Sequence, residues 1–295
     1  MNFVKHDDID PAKWDKALEH CYNENPYGYS QWLSMVSPGW CALINEDYSV
    51  LMPLPVKKKL GISYISQPRF TQQLGVYSTK PLEHEFIKSC LHQIPKRYAK
   101  IYLQLNTENY FPMPELRQRI TYCLSLNNSF EQLYSDFSSH HKRNISKSLE
   151  IATQNNLTVI PSQDHKSFIE HFRNTIGRKD KSLKKSDYEL MHKIISSPVG
   201  RLLVCSTGEG EIQAGLFYME SKTKLVNLFN FTTPRGKENK AMYLMLNQWI
   251  KQYTEKELTL DFEGSEIKSI AKFYNGFGAL AKNYQIFTKK GFWQM

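Results

Sequence analysis

The sequence is poor in the features that would tie it to a membrane, a disulfide framework or a metal. Its first ten residues, Met-Asn-Phe-Val-Lys-His-Asp-Asp-Ile-Asp, lack the basic-then-apolar order of a secretory signal, and no uninterrupted apolar run is long enough to span a bilayer. The expectation is a cytoplasmic protein with no integral membrane segment. The five cysteines, Cys21, Cys41, Cys90, Cys123 and Cys205, are odd in number, widely spaced and without a Cys-x-x-Cys pair, so neither disulfides nor a cysteine zinc site is indicated. Cys205, in Leu-Leu-Val-Cys-Ser, reads as a small buried hydrophobe. Nine histidines show no ligand spacing, since His140 and His141 are adjacent and His165 and His171 lie six apart; no metal is expected. The charged fraction, 23%, is ordinary beside 41% hydrophobic and 13% aromatic residues, which argues against long disorder.

What is present is positive charge, unevenly placed. Residues 1–127 carry 14 Lys and Arg against 12 Asp and Glu, and residues 128–295 carry 24 against 17. A basic second half favours an anionic partner: a phosphorylated cofactor, a nucleotide-linked substrate or RNA. Two clusters hold much of it: His140, His141, Lys142, Arg143 and Lys147, then Arg178, Lys179, Lys181, Lys184 and Lys185. Each read alone is equally well a solvated surface.

Hydrophobic periodicity predicts the same element order twice. In the first half, helices over Pro11–Tyr22 and Tyr29–Val36 follow a short strand at Asn2–Lys5. Strands come next at Trp40–Ile44, Ser49–Val56 and Ile62–Ser66, the second demoted to an edge or bulged strand by Pro53 and Pro55. A helix over Leu82–Gln93 and strands at Ala99–Leu105 and Ile120–Leu126 complete it. Ser129 and Gln132, three apart ahead of an apolar run, open a basic helix from Phe130 to Ser148 that stops at Asn155-Asn156. The second half repeats the pattern with a strand at Leu157–Ile160, helices over Asp164–Ile176 and Ser186–Ser196, and strands at Arg201–Cys205, Ile212–Met219 and Leu225–Phe231. A helix from Asn239 to Tyr253 follows, carrying Met242, Met245, Leu246, Trp249 and Ile250 on one face. The stretch Leu258–Tyr284 then reads as strand, turn and short helix, ahead of a last strand at Asn283–Thr288. The expected division is an N-terminal domain over 1–127, a basic helical connector over 128–156 and a C-terminal domain over 157–295. No residue-level identity links the halves.

Three stretches carry candidate chemistry. Arg235-Gly236-Lys237-Glu238-Asn239-Lys240-Ala241 lies between a strand ending at Phe231 and a helix, where free N–H groups, the helix dipole and three basic side chains favour an anion. An exposed basic turn is the plainer reading. Leu260-Asp261-Phe262-Glu263-Gly264-Ser265 puts Asp261 and Glu263 on one strand face, where a buried carboxylate would have a raised pKa and serve as a base. Asp261 reads as structural and Glu263, nearest the strand's end, as the base. Phe273-Tyr274-Asn275-Gly276-Phe277-Gly278 holds Tyr274, either a proton donor or one member of an aromatic core.

These residues, with Arg143-Asn144-Ile145, Lys147 and Gly215, resemble the GNAT acyltransferase superfamily and its tandem Fem-type and BioF2-like relatives. The resemblance is fullest from Asn128 onward. It implies an α/β fold of two tandem GNAT-like domains, each a mixed central sheet flanked by helices. It also implies acyl-CoA as donor, held by Phe231 and the Arg235, Gly236, Lys237, Asn239, Lys240, Ala241 loop. Arg235 and Ala241 match the ends of the family's pyrophosphate motif, Gly236 comes too early, and Asn239 stands where an inner glycine would. Tyr274, four residues before Gly278, has the spacing of the tyrosine that protonates the leaving thiolate. Fem-type enzymes carry lysine in its place. The implied activity is N-acyl transfer from an acyl-CoA-type thioester to a small-molecule or nucleotide-linked amine, with Glu263 as base and Tyr274 as acid. The alternatives are Fem-like transfer from aminoacyl-tRNA to a cell-wall precursor, and a non-catalytic binding module of the same fold.

Overall fold

The computed structural model describes residues 1–111, 116–264 and 267–290. They form two compact units: Met1–Thr121 with Ser221–Thr223 and Lys282–Lys290, and Tyr122–Glu220 with Lys224–Ala281. The helices of the 128–156 segment therefore fall in the second unit, and residues 282–290 fall in the first. Among the described residues no helix is long and apolar enough to cross a membrane, and no group of three or more His, Cys, Asp or Glu is placed to hold a metal.

In chain order the elements are β1 (Asn2–Val4), α1 (Pro11–Leu18), α2 (Ser30–Val36), β2 (Cys41–Ile44), β3 (Val50–Leu54), β4 (Val56–Lys59), β5 (Ile62–Ser66), β6 (Tyr77–Ser78), α3 (His84–His92), β7 (Lys100–Gln104) and β8 (Arg117–Ser125). There follow α4 (Phe130–Asp136), α5 (Ser139–Asn155), β9 (Thr158–Pro161), α6 (His165–Phe172), α7 (Lys185–Ile195), β10 (Gly200–Ser206), β11 (Ile212–Glu220), β12 (Lys224–Thr232), α8 (Pro234–Glu238), α9 (Ala241–Gln252), β13 (Thr259–Asp261), α10 (Lys268–Asn275) and β14 (Leu280–Lys290).

The first unit contains two sheets, β1-β2-β3-β6 and β4-β5-β7-β14. The single strand expected over Ser49–Val56 is cut at Pro55, and the chain changes sheet there. Pro53 sits in β3 opposite Ala42, past the two residues that pair with β6, so its missing N–H breaks no ladder on that side. Leu43, Met52, Leu54, Ile65, Ile87, Leu91, Ile101 and Leu103 close the core.

In the second unit the strand order is β9-β10-β11-β12-β13-β8. All neighbours are antiparallel except β12 and β13, which are parallel. Ser129 and Gln132 make the expected capping box on α4. The single helix expected from Phe130 to Ser148 is two: the chain turns extended at Phe137, and Ser138 caps α5 through its Oγ to the His141 N–H. The helix expected from Ser186 begins at Lys185, after Lys184, whose N–H is held by the Asp187 carboxylate at 2.9 Å. α9 is buried on nearly every side, with Ala241, Met242, Leu244, Met245, Leu246, Trp249 and Ile250 in the core. It packs on the face of β11 that carries Ala214, Leu216 and Tyr218.

Candidate functional site

β12 makes the site by two departures from regular pairing. Its parallel ladder with β13 ends at Val226–Asp261, while β12 itself runs on to Thr232, so the strands part beyond that point. Against β11 the register shifts: Phe217 faces Phe229, but Tyr218 faces Asn227, leaving Leu228 as an extra residue. In a regular strand Asn227 and Asn230, an odd number of residues apart, would point to opposite faces. The bulge changes the phase, so both join Thr232 on the side of Tyr218, Leu216 and Ala214.

That side borders a pocket of about 410 Å³. Met242, Tyr243 and Leu246 of α9 form one wall, Ile270, Phe273 and Tyr274 of α10 another, and Asn227, Asn230 and Thr232 its polar edge. Tyr274 is buried, with its ring stacked on Phe262 at 4.6 Å between centroids. Asn230 Nδ2 donates to Asn227 Oδ1 at 3.1 Å and, more weakly, to Tyr274 Oη at 3.4 Å. The second amide group of this pair is unspent: Asn227 Nδ2 is buried and donates to nothing among the described residues. A buried donor left unpaired costs free energy, and a ligand acceptor in the pocket would recover it.

Glu263 lies close enough to Tyr274 for its charge to raise the tyrosine pKa. Burial is the larger cause, offset in part by the Asn230 hydrogen bond, and together they push Tyr274 up to about 12. Glu263 does not continue the strand as the two-residue alternation predicts. β13 stops at Asp261, and Glu263 turns into the left-handed region at φ 51°, with its N–H held by Asp261 Oδ1 at 2.9 Å. Asp261 thus braces the turn at Glu263. Glu263 is half-buried as a residue, but its Oε1 is enclosed and meets no donor among the described residues. Desolvation therefore raises its pKa well above the ordinary 4.5. Ser265, included in the same motif, lies outside the described residues.

The Arg235–Ala241 stretch is not an open loop. Arg235, Gly236 and Lys237 belong to α8, capped by Thr233 Oγ1 on the Gly236 N–H at 3.0 Å. The N–H groups of Lys237, Asn239 and Lys240 are also taken, by the carbonyls of Thr233, Arg235 and Lys237. Lys240, left-handed at φ 57°, separates α8 from α9, so the helix expected from Asn239 begins at Ala241. Gly236, Lys237 and Lys240 line the pocket. Arg235 and Asn239 instead border a separate polar hollow beside Gln213 and Glu211. There Asn239 Nδ2 donates to Gln213 Oε1 at 2.9 Å and Arg235 pairs with Glu238 at 3.1 Å. Ala241 is buried in the core. Phe231 points to the other face of β12, against the rings of Phe168 at 5.1 Å and His171 at 5.4 Å, and Gly215 opposite it leaves room for that ring. Phe231, Arg235 and Asn239 are thus not brought into the pocket with Tyr274.

Gly236 has a packing reason to be glycine, because a Cβ there would strike the Gln213 carbonyl of β11. Gly236→Ala should therefore cost about 1–3 kcal/mol by forcing the backbones apart, read as a lower midpoint in denaturant. An unchanged midpoint would contradict the close approach. Gly276 is set similarly against the ring of His141. That ring bridges Ser138 Oγ and the Phe273 carbonyl, both at 2.9 Å, and burial lowers its pKa. The basic connector thus contributes a buried histidine that fixes α10, while Arg143, Lys147 and the whole Arg178–Lys185 cluster remain exposed.

Asn227 and Asn230 escape a sequence reading. The only sign was their repetition in Asn-Leu-Phe-Asn, which regular alternation divides between two faces.

No protein-family model matches the sequence, and no curated protein matches it. Solved structures match nearly the whole chain. FemX is 14% identical at a TM-score of 0.69, covering 97% of this chain and 97% of that one. A conserved protein of unknown function from Bacteroides thetaiotaomicron is 10% identical at 0.60, covering 96% and 98%. L-PGS from Bacillus licheniformis is 16% identical at 0.54, covering 95% and 92%. The fold is therefore that of the GNAT-like, Fem-type proteins along almost its full length. At such identities the likeness is one of fold.

Proposed function

We propose that the protein is an N-acyltransferase, with the acyl group of an activated donor lodged in the pocket between β12 and α10. The observation that carries this reading is the opening past Val226 and Asp261, where Tyr274 Oη and the two asparagines meet an otherwise apolar pocket. A non-catalytic module would have that space filled by side chains.

In the proposed reaction the amine nitrogen attacks the acyl carbonyl carbon. The C–N bond forms, the bond to the carrier breaks, Glu263 takes the amine proton and Tyr274 gives one to the leaving group. The proton held on Glu263 then restores the Tyr274 phenol and closes the cycle. Asn227 Nδ2 and backbone N–H groups along the open edge of β12 would polarise the carbonyl.

The first reading of the donor is an acyl-CoA-type thioester, its phosphates beside Lys237 and Lys240. Acyl-CoA should then raise the melting temperature, since a ligand at a hundred times its Kd adds about 2.7 kcal/mol, and Lys240→Glu should abolish the rise. A flat response to a panel of acyl-CoAs would remove this reading. Two observations favour the second reading, an oxygen-ester donor such as aminoacyl-tRNA. The N–H groups of Gly236, Lys237, Asn239 and Lys240, which a pyrophosphate there would meet, are already bonded within the chain. A phenol at about 12 is also poorly matched to a thiolate of pKa about 8.5 and better matched to the more basic alkoxide of an ester. The exposed Arg178–Lys185 cluster would then meet RNA phosphates, giving tRNA binding that weakens steeply with salt. Transfer of label from aminoacyl-tRNA to an amine, with none from acyl-CoA, would establish it.

A further inference from the structure

One end of the first unit combines backbone strain, apolar exposure and charge of a single sign. β4 and β5 are joined by Leu60 and Gly61, with Lys59 paired to Ile62. Both linking residues are left-handed, Leu60 at φ 49° and Gly61 at φ 79°. Two-residue hairpins of this kind take Asn, Asp or Gly at such positions because a larger L side chain is strained there. Here the first position holds a leucine whose side chain is 92% exposed, next to Ile62 at 57%. The strain and the exposed apolar surface are both unfavourable in the isolated protein, which points to a role outside the fold.

The strand register brings basic residues to the same end. Ser63 accepts from the Ala99 N–H, so the loop bearing Lys96 and Arg97 and the start of β7 at Lys100 lie beside the hairpin. β14, antiparallel to β7, brings Lys289 opposite Ile101. Lys58, Lys59, Lys96, Arg97, Lys100 and Lys289 are all exposed. The stretches that build this end, residues 50–82, 86–107 and 282–290, contain no Asp or Glu.

We propose that this end docks on an anionic membrane surface, with Leu60 and Ile62 entering the headgroup region and the six basic side chains facing lipid phosphates. An apolar tip inside a cationic ring is the pattern of interfacial attachment, in which neither component alone suffices. RNA fits it less well, because an exposed Leu–Ile tip offers nothing to phosphates and no face for base stacking.

The test is sedimentation of the full chain with phosphatidylcholine vesicles containing or lacking about a third phosphatidylglycerol. Binding to the anionic vesicles should be at least about tenfold tighter than to neutral ones at low salt. Leu60→Asn should weaken binding about tenfold or more while leaving the melting temperature equal or higher, since asparagine suits the turn. Lys58→Glu with Lys59→Glu should weaken it similarly. The proposal is overturned if the protein ignores anionic vesicles at low salt or if Leu60→Asn binds as well as the parent. It is also overturned if the Lys58→Glu, Lys59→Glu pair weakens binding of a single-stranded RNA oligomer while leaving vesicle binding unchanged.

Discussion

Tyr274→Phe should lower acyl transfer by about 10²–10⁴-fold, the usual contribution of a positioned proton donor, with little loss of stability. The substitution keeps the ring, and with it the stacking on Phe262 and the contact with Phe273. It deletes only a hydroxyl whose one partner among the described residues is Asn230 Nδ2 at 3.4 Å. Because burial pushes the phenol up to about 12, the wild type should show no loss of its acid below about pH 11. The effect belongs in kcat, since a leaving-group proton is needed only as the carrier bond breaks. A rise in KM at constant kcat would make Tyr274 a wall of the pocket and not its acid.

Glu263→Gln should stabilise the protein at neutral and alkaline pH while abolishing transfer. Burial holds the folded pKa of Glu263 well above 4.5, so between 4.5 and that folded value the native state binds a proton that the unfolded state has lost. Stability then falls as pH rises, by about 1.4 kcal/mol per pH unit across that window. Above the folded pKa the penalty is constant, and below 4.5 it is absent. Glutamine carries no such penalty, so its advantage should appear in denaturant midpoints at pH 8 and vanish at pH 4. Equal differences at the two pH values would show that the carboxyl is solvated. A gain in stability with loss of activity is the pattern of a residue kept for chemistry.

Much of the second unit is legible in its sequence because local rules and tertiary packing agree there. The Ser129–Gln132 capping box and the apolar face of α9 are cases where a short-range signal also suits the core. The site is less legible because each of its parts breaks a local rule. Two-residue alternation carries Asp261 and Glu263 along one strand, but pairing with β12 ends at Asp261 and the left-handed turn at Glu263 follows from that ending. Periodicity continues α9 back to Asn239, whereas Lys240 adopts a conformation unusual for a lysine and divides the stretch into two helices. Asn227 and Asn230 share a face only because of the bulge at Leu228, which reflects pairing with β11 rather than any residue in the bulge. In the first unit, Pro53 and Pro55 are legible as marks of an edge or bulged strand, but the change of sheet at Pro55 depends on β5 and β7, distant in sequence.

The most direct test of the pocket as an acyl-transfer site is a single-turnover assay. Radiolabelled acyl-CoA and aminoacyl-tRNA donors are each mixed with the protein and a panel of primary amines, and labelled amide is measured for wild type and Tyr274→Phe. Wild type should form labelled amide from one donor class, and Tyr274→Phe should do so at least about a hundredfold more slowly. Amide formation at equal rates by both proteins, or by neither from any donor, would contradict the account.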